Sequence, residues 1–279
     1  MSLQWYPGHM TKARRELALL MPSRDVVIEV LDARMPAASS NPLLTELRRS
    51  KPCIKVLTKS DLADPVATKA WIAHFEAQPN VSAFASSTER PQDTRKRFAT
   101  LTKGAALHRG PDKQVRALIA GVPNVGKSTL INLLVERHVA KVSDRPAVTK
   151  EQQNVVLSDG TVLTDTPGIM WPKIEDEEGA FRLAFAGSIP DTAIDYLTIA
   201  MFGAQILLER YAPLVVARYK LTETPASPDA LLKEIGRRRG GLLSGGAIDL
   251  QKASTILIND FRSGAIGRIT LELPRRPRP

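Results

Sequence analysis

The chain has 279 residues, 43% of them hydrophobic, enough to bury one full α/β core and leave a smaller second domain. Its single cysteine, Cys53, excludes an internal disulfide and a cysteine-ligated zinc cluster, and in its apolar setting reads as a small buried hydrophobe rather than a reactive thiol. A formal net charge of +10 points to a polyanionic partner; with no N-terminal signal and no uninterrupted apolar run approaching bilayer length, the expectation is a soluble, cytoplasmic protein with no membrane contact.

In chain order, the first segment is Trp5-Tyr6-Pro7-Gly8-His9-Met10, where Pro7-Gly8 can turn the chain, followed by a basic helix from Thr11 to Leu20. Short β-branched or apolar runs then predict strands at Asp25 to Leu31, Cys53 to Leu57, Val81 to Ala85 and Val115 to Ala120. Between them, helices are predicted from Pro42 to Ser50, from Pro65 to Gln78 with Asp64 as its cap, and from Asp93 to Leu107. A further helix should run from Ser128 to Arg137. Glu151 to Leu157 and Thr161 to Thr164, joined by Ser158-Asp159-Gly160, read as a hairpin, the one antiparallel pair expected.

Beyond about Trp171 the strand signals stop. Helical spacing continues at Phe181 to Ala186, Thr192 to Tyr211, Pro228 to Ile235 and Leu250 to Phe261. The expected architecture is α/β, a mostly parallel sheet with helices on both faces over residues 1–174, followed by a small all-α domain over 175–279. Charge follows this division unevenly, since 1–174 and 236–279 are basic and 175–235 is acidic. The runs Arg237-Arg238-Arg239 and Arg275-Arg276-Pro277-Arg278 read as nucleic-acid contacts, the latter in a disordered tail. The acidic run Glu175-Asp176-Glu177-Glu178 reads as a solvated face.

Two motifs carry the chemistry. Gly121-x-x-x-x-Gly126-Lys127-Ser128 lies between a predicted strand and a predicted helix. In that context the backbone of Asn124, Val125, Gly126, Lys127, Ser128 and Thr129 can wrap phosphates, Lys127 can reach the outer two, and Ser128 can ligate magnesium. Asp165-Thr166-Pro167-Gly168 follows, with an acidic residue for the same metal and the Gly168 amide for a γ-phosphate. Thr149, between Lys127 and Asp165 in the chain, is a candidate switch ligand.

The second motif, Thr58-Lys59-Ser60-Asp61, comes just past a predicted buried strand. A carboxylate there can accept both N1–H and N2–H of guanine, which adenine cannot offer, while Lys59 covers the ring face. Ser86-Ser87, after the next strand, can bring amides to the guanine O6, although Ser82-Ala83 is a competing match. A kinase or ATPase would need an acceptor site or an adenine pocket, against Asp61. A pure RNA-binding module would show a decayed phosphate loop, and this one is intact.

The base-reading motif precedes the phosphate loop, the reverse of the usual order, which implies a circular permutation. With Gln4 to Met10 at the start, and Gly245-Gly246-Ala247-Ile248-Asp249-Leu250 and Asp260-Phe261-Arg262-Ser263-Gly264-Ala265-Ile266-Gly267-Arg268 near the end, the chain resembles the circularly permuted GTPases of the ribosome biogenesis GTPase A (YlqF/RbgA) family. It departs from the family pattern at Tyr6, Thr58 and Ala147, where phenylalanine, asparagine and glycine are usual; none of these removes a catalytic group. The resemblance implies a P-loop GTPase that takes GTP, GDP and magnesium, and that binds large ribosomal subunits, their precursors and ribosomal RNA; a monomer is expected. A GTP-regulated RNA-binding protein with another ribonucleoprotein client is the alternative.

In related GTPases an asparagine at the position of Asn124 helps hold potassium against the phosphates; here it can equally brace its loop. Many GTPases carry a water-orienting glutamine where this chain has Ile169, so slow intrinsic hydrolysis is expected and another group must place the water. His9 is the leading candidate, ordered by ribosome contact; the competing reading makes Trp5-Tyr6-Pro7 a packing clasp and His9 a cap or RNA contact.

Overall fold

A computed structural model of the protein describes residues 7–106, 113–135, 153–166, 176–191, 195–241 and 246–274, with side chains from Arg14 onward in the first helix. That helix, α1 (Pro7–Leu20), takes in Pro7-Gly8-His9 as its first turn, which corrects the expected turn ahead of the helix. Proline suits this position, since its φ is already helical and its missing N–H falls where a helix has no acceptor to offer.

After a 3-10 turn at Met21–Ser23 come β1 (Val26–Asp32), α2 (Pro42–Arg48), β2 (Cys53–Thr58), α3 (Pro65–Glu76), β3 (Val81–Ala85), α4 (Pro91–Ala105), β4 (Arg116–Ala120) and α5 (Lys127–Val135). The hairpin strands are β5 (Gln153–Val156) and β6 (Val162–Asp165). Asp64 caps α3 as its sequence position predicts, accepting from Val66 N at 2.8 Å and Ala67 N at 3.2 Å, an interaction worth about 1 kcal/mol.

The six strands lie in the order β3-β2-β1-β4-β6-β5, with every neighbouring pair parallel except β5 and β6. The chain therefore winds outward from β1 to β3, then returns to the other side of β1 with β4. The carboxyl ends of β1 and β4 face a common crevice at that reversal, the place where open α/β sheets bind ligands.

Period-two alternation divides the apolar residues between two faces. Val27, Leu31, Cys53 and Leu57 pack with Leu17, Leu44, Trp71 and Phe75 of α1 to α3. Val26, Ile28, Val30, Ile54 and Val56 pack with Phe98, Ile131 and the C-terminal helices. Glu29 of β1 and Lys55 of β2, both buried, pair with each other across the sheet; Glu29 also accepts from Asn41 N at 2.7 Å. Burial pushes the Cys53 thiol up to about 12, so it is protonated and unreactive at neutral pH.

The C-terminal helices are α6 (Glu177–Phe185), α7 (Tyr196–Tyr219), α8 (Pro228–Arg238) and α9 (Leu250–Arg262). The predicted division at 174 and 175 falls outside the described residues. Helix α7, with 24 residues, is long and apolar enough to cross a membrane by length and composition alone, although Gln205, Glu209 and Arg210 interrupt its apolar sequence. The helix kinks at Tyr211 (φ −134°, ψ 26°), two residues before Pro213, and continues to Tyr219, beyond the predicted end at Tyr211. The helix packs against α6, α8 and α9, and its Arg218 forms a two-pronged pair with Asp260 of α9 at 2.9 and 2.7 Å.

Candidate nucleotide-binding site

Strand β4 ends beside β1 so closely that a Cβ on Gly121 would come within 2.6 Å of the Val30 carbonyl oxygen; only glycine lets the chain leave the sheet here. The loop that follows has left-handed backbone at Asn124 (φ 60°) and Gly126 (φ 94°), and α5 begins at Lys127. Turns of this kind gather amides into an anion-binding concavity, and the helix N-terminus adds its own positive field.

The loop after β2 meets the phosphate loop directly. The Thr58 hydroxyl faces the carbonyls of Leu31, at 2.8 Å, and Val125, so the threonine at this position ties both loops to β1. Lys59 donates to Asn124 O at 2.6 Å and to Asp32 Oδ2 at 2.9 Å. Its stem thus spans from one loop to the other along a cavity of about 210 Å³.

Three chain segments line that cavity. Asp61 and Leu62 come from the loop after β2, Ser86 and Ser87 from the end of β3, and Gly126 and Thr129 from the phosphate loop and α5. Ser82, the competing match, lies inside β3. Ser60 binds the Ser86 carbonyl through both its amide (3.2 Å) and its hydroxyl (3.0 Å), which holds the two base-side loops together. Leu130 and Leu133 of α5 supply an apolar wall.

Strand β6 pairs with β4 in the register Ile119 to Asp165, and this brings Asp165 to the phosphate loop, where it pairs with Lys127. Burial pushes the Asp165 carboxyl upward, and Lys127 and the Thr166 amide oppose that shift. The hydroxyl of Ser128 and the carboxylate of Asp165 are hard oxygen donors of the kind magnesium takes. Among the described residues there is no cluster of three His, Cys, Asp or Glu to cage a metal, so an ion here would draw its other ligands from phosphate and water. The Asn124 side-chain nitrogen donates to Gly187 O at 2.8 Å, tying the phosphate loop to the turn after α6; the amide oxygen is the end suited to a cation.

Thr149 and Gly168, with Ile169, lie outside the described residues. The His9 backbone belongs to α1 and its side chain is not described.

Sequence reading missed the centre of the network. Asp32, fully buried at the end of β1, accepts from Arg34 Nε (3.0 Å), Arg34 Nη2 (2.8 Å) and Lys59 Nζ (2.9 Å). Burial alone raises such a carboxyl, but the two cations outweigh it and hold Asp32 well below the usual carboxylate range. Arg34, itself 2% exposed, also donates to the carbonyls of Phe261 (3.3 Å) and Arg262 (3.2 Å) at the end of α9. A charged residue closing a central strand at the binding edge was the available signal.

The sheet order, the phosphate loop and the base-side loop together define a P-loop GTPase whose elements occur in permuted order along the chain. Residues 116–202 match the family described as 50S ribosome-binding GTPase. Over 98% of its length the chain is 42% identical to ribosome biogenesis GTPase A of Bacillus pumilus, covering 99% of that protein, and 34% identical to its namesake in Thermotoga maritima, covering 95%. GDP-bound and GNP-bound structures of T. maritima YlqF align with TM-scores of 0.68 and 0.65 at 28% and 29% identity, over 93% and 94% of this chain and 99% and 98% of theirs. The chain belongs to the ribosome biogenesis GTPase A family, and its activity is hydrolysis of GTP to GDP and phosphate.

Proposed function

We propose that this GTPase acts in assembly of the large ribosomal subunit, as a cytoplasmic monomer that binds subunit precursors and ribosomal RNA, with its hydrolysis stimulated by the ribosome. The observation that carries the reading is the convergence of Asp61, Lys59 and the phosphate loop on one cavity at the strand reversal. The names of the relatives support the ribosomal client. In this reading residues 1–174 are the nucleotide-binding domain and 175–279 the RNA-binding one. Sedimentation with large-subunit precursors, in a GTP analogue against GDP, tests it; equal co-sedimentation in both nucleotides would overturn it.

Within the site, Asp61 takes the guanine edge, with Lys59 over the ring and Ser86-Ser87 at O6. Lys127 moves from Asp165 to the outer phosphates. Ser128, Thr149 and Asp165 would hold magnesium, which would supply positive charge against the phosphates. Gly168 meets the γ-phosphate, and His9 orients the attacking water in place of a glutamine.

Asn124 would hold potassium through its amide oxygen while its nitrogen keeps the Gly187 carbonyl. Replacing potassium by sodium is expected to slow hydrolysis, and Asn124→Ala to remove the difference between the salts. Equal rates of the unaltered protein in both salts would leave Asn124 as a brace only.

RNA binding carries a salt signature. Each phosphate that meets a cationic side chain releases counterions, so affinity for the large subunit is expected to fall steeply with salt and to be weaker with GDP. Removing the Arg/Pro tail is expected to reduce the slope modestly. Arg237 and Arg238 share Glu234, Arg238 also holds Lys220 O at 2.8 Å, and Arg239 reaches Arg218 O at 3.4 Å. These side chains sit on a folded helix end, so converting all three to glutamine is expected to reduce the slope more than tail removal, by about one for each phosphate no longer neutralised. The thermal midpoint of the triple variant separates weakened RNA binding from impaired folding. Affinity independent of both salt and nucleotide would leave a GTPase with another client.

A further inference from the structure

After α9 the chain turns back and runs along the loop that follows β2. Ile269 N donates to Leu62 O at 2.9 Å, and Asp64 N to Thr270 Oγ1 at 3.1 Å. The Tyr211 hydroxyl joins them, within 3.2 Å of Asp64 Oδ2 and 3.0 Å of Thr270 O. Arg268 reaches the loop most directly: Nε donates to Ala63 O at 3.0 Å and Nη2 to Ser60 O at 2.9 Å.

One guanidinium thus spans the two peptide carbonyls that bracket Asp61 and Leu62, both of which line the cavity. The turn leading to it is close-packed. Gly264 (φ 77°) lies so near Leu62 that a Cβ there would come within 2.6 Å of Cδ2, so the turn also fixes the loop from the side. The opposite flank is held by Ser60 on the Ser86 carbonyl.

A carboxylate that makes two parallel hydrogen bonds to a base edge needs its backbone held to within about 0.5 Å. The loop has few means of its own to achieve this, since Leu62 N to Lys59 O is its one internal backbone hydrogen bond among those between 59 and 63. We propose that Arg268 is a positioning residue for guanine recognition, clamping the carbonyls of Ser60 and Ala63 so that Asp61 stays aligned with the base edge. The inference rests on Asp61 reading guanine. Arg268 touches neither base nor phosphate; it acts through the loop. An arginine suits the task because its rigid planar fork presents separate donors, Nε and Nη2, in fixed geometry to the two carbonyls, whereas a lysine offers one point charge on a flexible stem.

The test compares Arg268→Ala, Arg268→Lys and Asp61→Asn in the full chain, using fluorescent ribose-labelled GDP and IDP. Hypoxanthine lacks the 2-amino group and so offers Asp61 one bond instead of two. For Arg268→Ala, GDP is expected to dissociate about tenfold faster, the scale of one charge-assisted hydrogen bond. The preference for GDP over IDP should shrink as well, while the thermal midpoint without nucleotide stays near that of the unaltered protein, because the side chain is exposed. Arg268→Lys should recover part of both effects. An unchanged dissociation rate and GDP/IDP ratio, beside an Asp61→Asn that turns to xanthine nucleotides, would overturn the proposal and keep the base reading. Equal weakening of both nucleotides with a lowered midpoint would also overturn it, leaving Arg268 a general brace. An Asp61→Asn that keeps its guanine preference removes the base reading and this inference with it.

Discussion

Asp61→Asn is expected to weaken GTP binding by about tenfold or more and to transfer preference to xanthosine triphosphate. The amide replaces one acceptor by a donor, so it meets a repulsive N–H on guanine and a complementary oxygen on xanthine. The surrounding loop is held by Arg268, Ser60 and the Thr58 hydroxyl, none of which the substitution touches. The effect should therefore lie in base choice and leave folding alone. Competition titrations with GTP, ATP and xanthosine triphosphate check it; equal affinity of the unaltered protein for ATP and GTP would defeat the assignment.

His9→Ala is expected to leave nucleotide affinity near that of the unaltered protein while cutting ribosome-stimulated turnover by roughly a hundredfold, the scale of losing one positioned general base or water-orienting group. His9 sits in the first turn of α1, so its approach to a phosphate would carry that helix end along. Stimulated turnover with and without the substitution, alongside binding of a GTP analogue, separates catalysis from association. Unchanged stimulation would favour the clasp reading of the N-terminal segment.

Local signals carried the parts of this protein that are local. The glycines and Lys127 of the phosphate loop, the Asp64 cap and the hairpin turn at Asp159-Gly160 each depend on neighbours within a few residues, and their elements lie where spacing puts them. The sheet followed from its apolar strands, whose buried charges Glu29 and Lys55 did not disguise them because each is matched by the other. Interactions between distant segments left no such trace. The Asp32 and Arg34 pair looks like surface charge until α9 covers it, and Arg268 looks like one more basic residue until the chain turns back to Ser60. Helix α7 runs past its predicted end at Tyr211 for a different reason: Pro213 signals a helix end in the sequence, yet the helix absorbs it with a kink and keeps burying every fourth residue, Leu207, Tyr211, Val215 and Tyr219.

The arrangement around Asp32 limits how the protein can move. A single buried carboxylate serves Lys59, which grips the phosphate loop, and Arg34, which grips the last carbonyls of α9. Swinging the C-terminal helices away from the sheet would strip Arg34 of its carbonyl acceptors or drag it from Asp32. A buried donor left without its acceptors costs about 1–3 kcal/mol, and more when it is charged. Asp32 and Arg34 thus fasten the end of α9 to the strand edge that carries Lys59, so any rearrangement that parts α9 from the sheet has to offset that loss with new contacts.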